Sequence, residues 1–296
     1  MLREAWYITE RELKHFIRRK VQVITSLIQP VVWLAFFGFA LSSGIASLAG
    51  GSLSLGSVNI LQIFVNLLPV DYITKYILSN LVNINYITYL ATGMIAYAVM
   101  STAFISGISV IWDKRFGFFT KMLAAPIPRS SIILGKMIAA MIRSLIQAVV
   151  VIAVAVLLGV KIYTGIIGIA LAIPFLVIFA LGLAGISTAA GIRMANVEAF
   201  FGIIQMILLP LFFVSPAITS LSSMPGWLQT AAQFNPLTYA VDAVRSCLLG
   251  GQFGPLYGDF AFIGVGGSLL YDLAILSLIF VGMVLIGAYL FRRSTT

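Results

Sequence analysis

Residues Ile166–Ile192 read IIGIALAIPFLVIFALGLAGISTAAGI, 27 positions without a charged side chain, and Arg193 comes directly after them. At 1.5 Å rise per residue such a helix is about 40 Å long, more than the roughly 30 Å hydrocarbon core of a bilayer. The run predicts a transmembrane helix, and the pattern recurs along the chain. Apolar stretches cover about Val21–Leu41, Tyr86–Ile111, Ile132–Val160, Ala199–Val214 and Leu273–Phe291. The reading is an all-α integral membrane protein with six spans, a single transmembrane domain over residues 1–296.

Composition agrees. Apolar residues make up 61% of the chain, charged residues 9%, and mean hydropathy is +1.09. Soluble domains carry about 25% charged residues, so this chain lacks the polar surface to face water. The net charge of +9 does not point to nucleic acid, because the basic residues close off apolar runs, where topology determinants are placed. Arg3, Arg11, Lys14, Arg18, Arg19 and Lys20 precede the first span. Lys114, Arg115, Lys121 and Arg129 separate the second and third, Arg193 follows the fourth, and Arg292 and Arg293 follow the sixth. The other side holds Lys75, Lys161 and Arg245. The asymmetry predicts a multi-pass protein of the cell (plasma or inner) membrane with both termini in the cytoplasm. Residues 1–20 are charged throughout, so no cleavable signal peptide is expected.

Within residues 2–20, Leu2, Trp6, Leu13, Phe16 and Ile17 recur at helical spacing among basic and acidic residues. This predicts an amphipathic helix in the headgroup plane. The fifth span is short and contains Pro210, and Pro216, Pro225, Gly226 and Pro236 punctuate the stretch after it. Ser223 before Pro225 and Asn235 before Pro236 both look like helix starts, a capping side chain and then a proline in the first turn. Residues of about 216–245 are therefore read as two short re-entrant helices on the outer side, before the last span. Broken backbone at that depth needs protein or a water-filled cavity to cover it.

Catalytic chemistry is not expected. The single histidine, His15, excludes His-based triads and multi-His metal sites, and the single cysteine, Cys247, excludes an intrachain disulfide or a cysteine metal cluster. No Gly-x-x-x-x-Gly-Lys-Ser/Thr loop occurs, so the chain has no P-loop for a nucleotide. Polar candidates in or near the spans are few. Arg143 either snorkels to the cytoplasm or faces protein and needs a partner. Asn196 and Glu198 suit the start of the fifth span as a cap and an acidic first turn. Asp242 and Arg245, three apart, can pair on one helix. The stretch Trp112-Asp113-Lys114-Arg115-Phe116-Gly117-Phe118-Phe119-Thr120-Lys121-Met122-Leu123 predicts an aromatic, basic amphipathic helix over about 112–125, which can lie on lipid or dock in another protein's groove. Phe118 and Phe119 are its candidate anchors.

Together these residues resemble the membrane subunit of type-2 ABC exporters, on its drug-resistance and lipid side. The resemblance covers essentially the whole chain. It is carried by Met224-Pro225, Trp227, Asn235-Pro236-Leu237-x-Tyr239, Asp242 and Arg245, which look like the family's signature near an outer gate. It is carried also by Trp112-x-x-Arg115-x-Gly117 through Leu123-x-x-Pro126-x-x-Arg129 and on to Gly135-Lys136, which looks like its coupling helix and return. The resemblance implies ATPase coupling through Trp112, Lys114, Arg115, Phe116, Gly117, Phe118, Phe119, Lys121 and Leu123. It implies a cytoplasmic ABC ATPase partner that carries the ATP and Mg, a homodimer or pseudo-symmetric dimer of permeases, and export by alternating access. A stand-alone secondary carrier or channel is the alternative from another class; carriers often show inverted repeats with broken helices in both halves, whereas here the break falls only near the C-terminus. The apolar spans suit an amphipathic or lipid-like cargo and select no particular one.

Overall fold

The computed structural model describes residues 2–18, 28–36, 86–221, 224–249 and 273–284, and every regular element among them is helical. The chain order is α1 (Leu2–Arg18), α2 (28–36), α3 (Tyr86–Ile105), α4 (Ile108–Arg115), α5 (Phe118–Ala124) and α6 (Arg129–Leu157). Next come α7 (Gly165–Arg193), α8 (Val197–Val214), α9 (Gly226–Gln233), α10 (Pro236–Leu249) and α11 (Leu273–Val284). Four helical stretches are long and apolar enough to cross a membrane: Ile87–Arg115, Arg129–Leu157, Gly165–Arg193 and Val197–Val214. The chain is thus a multi-pass membrane protein. Most of the expected first span, the segment 44–84, the Ser223 cap and the end of the last span lie outside the described residues.

The second span is not one straight rod. It breaks at Ser106–Gly107 into α3 and α4, and the break is packed against α7. The Gly107 amide donates to Ser187 Oγ at 2.9 Å, and that hydroxyl in turn donates to the Phe104 carbonyl. Backbones meet here with no room for a side chain. A Cβ on Gly191 would fall 2.5 Å from the Gly107 carbonyl oxygen, and one on Gly107 would fall 2.3 Å from the Ser187 carbonyl oxygen. Lipid tails are as apolar as Leu, so burial alone does not hold membrane helices together; close approach of small residues does.

The main apolar core lies where α3, α6, α7 and α10 meet, around Leu90, Met94, Met100, Val151, Leu183, Leu237 and Val244. Helix α10 is buried almost all round between α3 and α7. Helix α8 instead buries one row, Phe200, Ile204, Leu208 and Phe212, and leaves Ile203, Met206, Leu209 and Phe213 exposed. Trp33 of α2 stands edge-on to Phe212 at 5.6 Å, which places α2 beside α8.

Gly191→Ala should push α7 off the α3–α4 break and destabilise the protein by about 1–3 kcal/mol. Gly202→Ala, in α8 with nothing within 4 Å of the added methyl, should be neutral or stabilising by up to about 1 kcal/mol. Thermal unfolding of the two variants in detergent micelles separates them.

Candidate functional site

Helix α1 is a docked element. Its buried face is Ala5, Ile8, Thr9, Glu12 and Phe16, spaced at three and four residues, and it lies on α6. Gly135 permits the contact, since a Cβ there would fall 2.6 Å from the Ala5 carbonyl oxygen. Thr9 Oγ1 donates to the Gly135 carbonyl at 2.9 Å, and Ser131 Oγ donates to Glu4 at 3.1 Å. The apolar stripe expected from the sequence divides. Phe16 is buried, while Trp6 and Ile17 stay exposed on the flank beside the docked face. The spacing of large apolar residues locates the helix but not the side that packs on protein, which is lined by small and polar residues.

A buried charge cluster joins α1, α4 and α6. The Lys136 side chain is 2% exposed, and its Nζ donates to Glu12 Oε1 at 2.8 Å, to Asp113 Oδ2 at 2.6 Å and to Ser109 Oγ at 3.2 Å. Arg11 closes the other side of Asp113, with one Nη at 2.7 Å from Oδ1. Arg143 lies inward, 4.0 Å from Glu12 and with its guanidinium 5.9 Å from the Phe16 ring. Of the two readings of Arg143, the structure takes the protein-facing one. Buried charges are tolerated only when paired and hydrogen-bonded, and each charge here has an opposite one close by.

The expected single helix over about 112–125 is two helices at an elbow. Residues 112–115 are the end of α4, continuous with the second span, and α5 starts afresh at Phe118. Gly117 makes the turn at φ +69°, a left-handed conformation that a residue without Cβ adopts at little cost. The Phe116 and Gly117 amides donate back to the Trp112 and Lys114 carbonyls and close α4. Phe119 and Met122 turn inward onto Ile8, Val110, Ile132 and Ile192, with Phe118 and Leu123 packed against that cluster. Phe119 is therefore a core residue and not a free anchor. The outward aromatic surface is Phe116, 72% exposed and stacked on Trp112 at 5.6 Å, with the Arg115 guanidinium 5.7 Å from the Trp112 ring. Lys121 is exposed on α5. Lys114 donates instead to the Ile192 and Met194 carbonyls, capping the end of α7. Asn196 and Glu198 are exposed at the start of α8, and Asn196 makes no side-chain cap bond.

At the other end of the spans, Asn235 caps α10, accepting from the Leu237 amide at 3.0 Å, and its Nδ2 donates to the Leu211 carbonyl at 2.6 Å. Pro236 occupies the first helical position. Arg245 is buried, donating to the Pro216 carbonyl at 2.9 Å and to Thr92 Oγ1 at 3.3 Å, with its guanidinium 3.7 Å from the Tyr89 ring centroid. Tyr89 donates to the same Pro216 carbonyl at 3.2 Å, and Tyr239 donates to the Gln233 carbonyl at 2.7 Å. Asp242 is buried on the same helix. Pro225 and Trp227 are exposed at the start of α9. Asn235 and Arg245 of the signature thus act on backbone carbonyls near the end of α8, and Tyr239 acts on one at the end of α9.

The ABC-2 type transporter family profile matches residues 3–249. The chain belongs to that family. Relatives extend over most or half of its length. A protein of Porphyra purpurea named as a transport permease, ycf38, is 26% identical over 246 residues, 83% of this chain and 74% of the relative. The daunorubicin resistance ABC transporter permease protein DrrB1 of Streptomyces coeruleorubidus is 25% identical over 165 residues, 56% of this chain and 58% of its own. Nodulation protein J of Rhizobium leguminosarum bv. trifolii is 27% identical over 169 residues, 56% of this chain and 63% of its own. The protein is a membrane transport permease of the ABC-2 type, a family whose permeases are generally non-catalytic and normally work with an ATP-binding subunit.

Among the candidate residues of this ABC-2 permease, Arg143 and Gly117 join one assembly with Phe118 and Phe119 at the end of the bundle where α1 lies. Asn235, Tyr239 and Arg245 join another at the far end. Sequence reasoning does not place Glu12, Asp113 and Lys136 as one cluster. A partial signal exists, since the whole chain has nine acidic residues and Asp113 stands alone beside Lys114 and Arg115. Replacing Lys136 with Met should leave two carboxylates buried together and cost about 3–5 kcal/mol of stability. Adding Glu12→Gln should return part of that loss, a coupling that a double-mutant cycle on thermal unfolding measures.

Proposed function

We propose that this permease is the membrane half of an ATP-driven exporter, and that a cytoplasmic ABC ATPase docks on the elbow formed by α4 and α5. The single observation that carries this reading is the Trp112–Phe116 stack. Phe116 stands exposed on the half-buried Trp112 ring, flanked by Arg115, at the end of a helix whose other two sides are tied to α6 and α7. Aromatic and Arg side chains are the usual energetic anchors of interfaces. Six spans with both termini in the cytoplasm are supported by the basic residues, which gather at the end where α1 and the elbow lie. ATP and Mg would be bound by the partner, since this chain has no phosphate-binding loop.

Two copies would face each other across the first and fifth spans, a seam supported by the adjacency of α2 and α8 and by the exposed apolar row of α8. ATPase closure at the elbow would move the spans, and the outer helices α9 and α10 would open the far side to release cargo. The cargo suited to these walls is an amphipathic drug, lipid or lipid-linked molecule. A drug-resistance permease among the relatives supports that class.

Phe116 is exposed, so Phe116→Ala should leave folding unchanged while weakening retention of the co-purifying ATPase by about ten-fold or more. Unchanged retention in a binding titration would move the docking site elsewhere, and ATP hydrolysis by the purified chain alone would overturn the reading. Cys247 is buried, so orientation is better tested at exposed Thr230. In a Cys247→Ser, Thr230→Cys variant, an impermeant maleimide should label intact cells. Labelling confined to inside-out vesicles would reverse the topology.

A further inference from the structure

One side chain of α1 reaches both arms of the elbow. The Arg11 guanidinium donates to Asp113 on α4, at 2.7 Å and 3.4 Å, and lies 3.5 Å from the centroid of Phe118 on α5. Between the two arms is Gly117, with nothing within 4 Å of the position a Cβ would take. A left-handed glycine turn in open space sets no angle firmly by itself. The angle must come from the contacts that span it. Arg uses its edge for a carboxylate and its face for a ring at the same time, a combination Lys does not offer.

The support behind Arg11 is rigid. Its helix is seated on α6 by the Ala5–Gly135 contact, by Thr9 and by the Glu12–Lys136 pair, so a load on Arg11 passes to a 29-residue helix. Phe119 and Met122 of α5 also pack onto Ile8 of the same α1 face.

We infer that Arg11 is a positioning residue for coupling, holding α5 at a fixed angle to α4, so that α1 is the brace of the elbow and not only a helix at the membrane surface. The consequence for transport rests on the proposed docking of an ATPase at the elbow; the brace itself does not. Without Arg11 the ring of Phe118 loses its cation and Asp113 keeps Lys136 alone. Helix α5 then swings about Gly117 while the span bundle stays folded.

The test separates the two. Nitroxide labels at His15→Cys and Thr120→Cys, both exposed positions, are placed in the Cys247→Ser chain in lipid nanodiscs without any ATPase. The Arg11 chain should give one narrow distance distribution. Arg11→Ala should broaden and shift it, and Arg11→Lys should give an intermediate width because it keeps the charge but loses the planar contact. Phe118→Leu, which leaves the Asp113 pair intact, should also broaden it, and this second variant covers the case in which Arg11→Ala misfolds. Distributions unchanged in Arg11→Ala, or in Phe118→Leu, would overturn the brace. In the complex with its co-purifying ATPase, a label at Thr230 should change its spectrum on vanadate trapping of ATP. Arg11→Ala should abolish that change with the ATPase still bound, whereas a full response in Arg11→Ala would overturn the role in coupling. Absence of any co-purifying ATPase from the Arg11 chain would defeat the proposed function and leave the nanodisc result standing.

Discussion

An ammonium group buried between helices stays charged only if carboxylates come with it, and Lys136 has two, at 2.8 and 2.6 Å. Glu12 comes from α1 and Asp113 from α4, 101 residues apart in the chain, so neither can be moved without stranding a buried charge. That requirement sets the register of three helices at once. Apolar packing alone would not, because one apolar membrane helix slides along another at little cost. Paired buried charges are weak evidence for stability but well suited to fixing one arrangement among several, and fixing register is their best-attested use.

The opposite end of the bundle solves a different problem. Where α8 ends and the chain turns through Pro216, backbone carbonyls lose their helical partners, and water is scarce at membrane depth. Asn235 supplies a donor to Leu211, and Arg245 and Tyr89 both supply donors to Pro216. Backbone carbonyls and a ring face are among the partners, so α10 is held to the end of α8 by directional hydrogen bonds, with Arg245 and Asp242 both buried on it. Helices α1, α4 and α6 are held by ion pairs. Hydrogen bonds to carbonyls can be exchanged for others when a segment moves, whereas breaking the Lys136 cluster leaves uncompensated charge. The physical contrast makes the hydrogen-bonded end at α10 the easier of the two to rearrange and the Lys136 end the stiffer.

How much of this is legible in the sequence depends on the range of each signal. Periods of apolar residues are local, so α6, α7 and α8 can be read within a few residues of their observed ends. The Asn235-Pro236 start is local too, a cap and a pre-set φ in adjacent residues, and its bond to the Leu237 amide is the one that spacing implies. The elbow is half legible. Aromatic and basic residues mark about 112–125 as one element, but the freedom of Gly117 to take positive φ ends one helix there and starts another. The docked face of α1 escapes a reading that weights large apolar residues over Ala5, Thr9 and Glu12. In a membrane protein small and polar residues often mark the helix interface. The Lys136 cluster has no local signature at all, since pairing between residues 12, 113 and 136 exists only in three dimensions.

The turn Trp112–Phe116 shows how such non-local facts concentrate in a short segment. Successive residues of a helix point about 100° apart, so five residues face every direction. Asp113 turns to the charge cluster on α1 and α6, and Lys114 turns to the carbonyls that end α7. Trp112, Arg115 and Phe116 stack on the side left over. Both attachments are made to 29-residue helices and not to loops. A rotation of α4 therefore cannot be absorbed locally. It acts on α6 through Asp113 and on α7 through Lys114, two contacts about 100° apart around the same axis. A segment built this way ties the exposed Phe116 side of α4 to two spans at once.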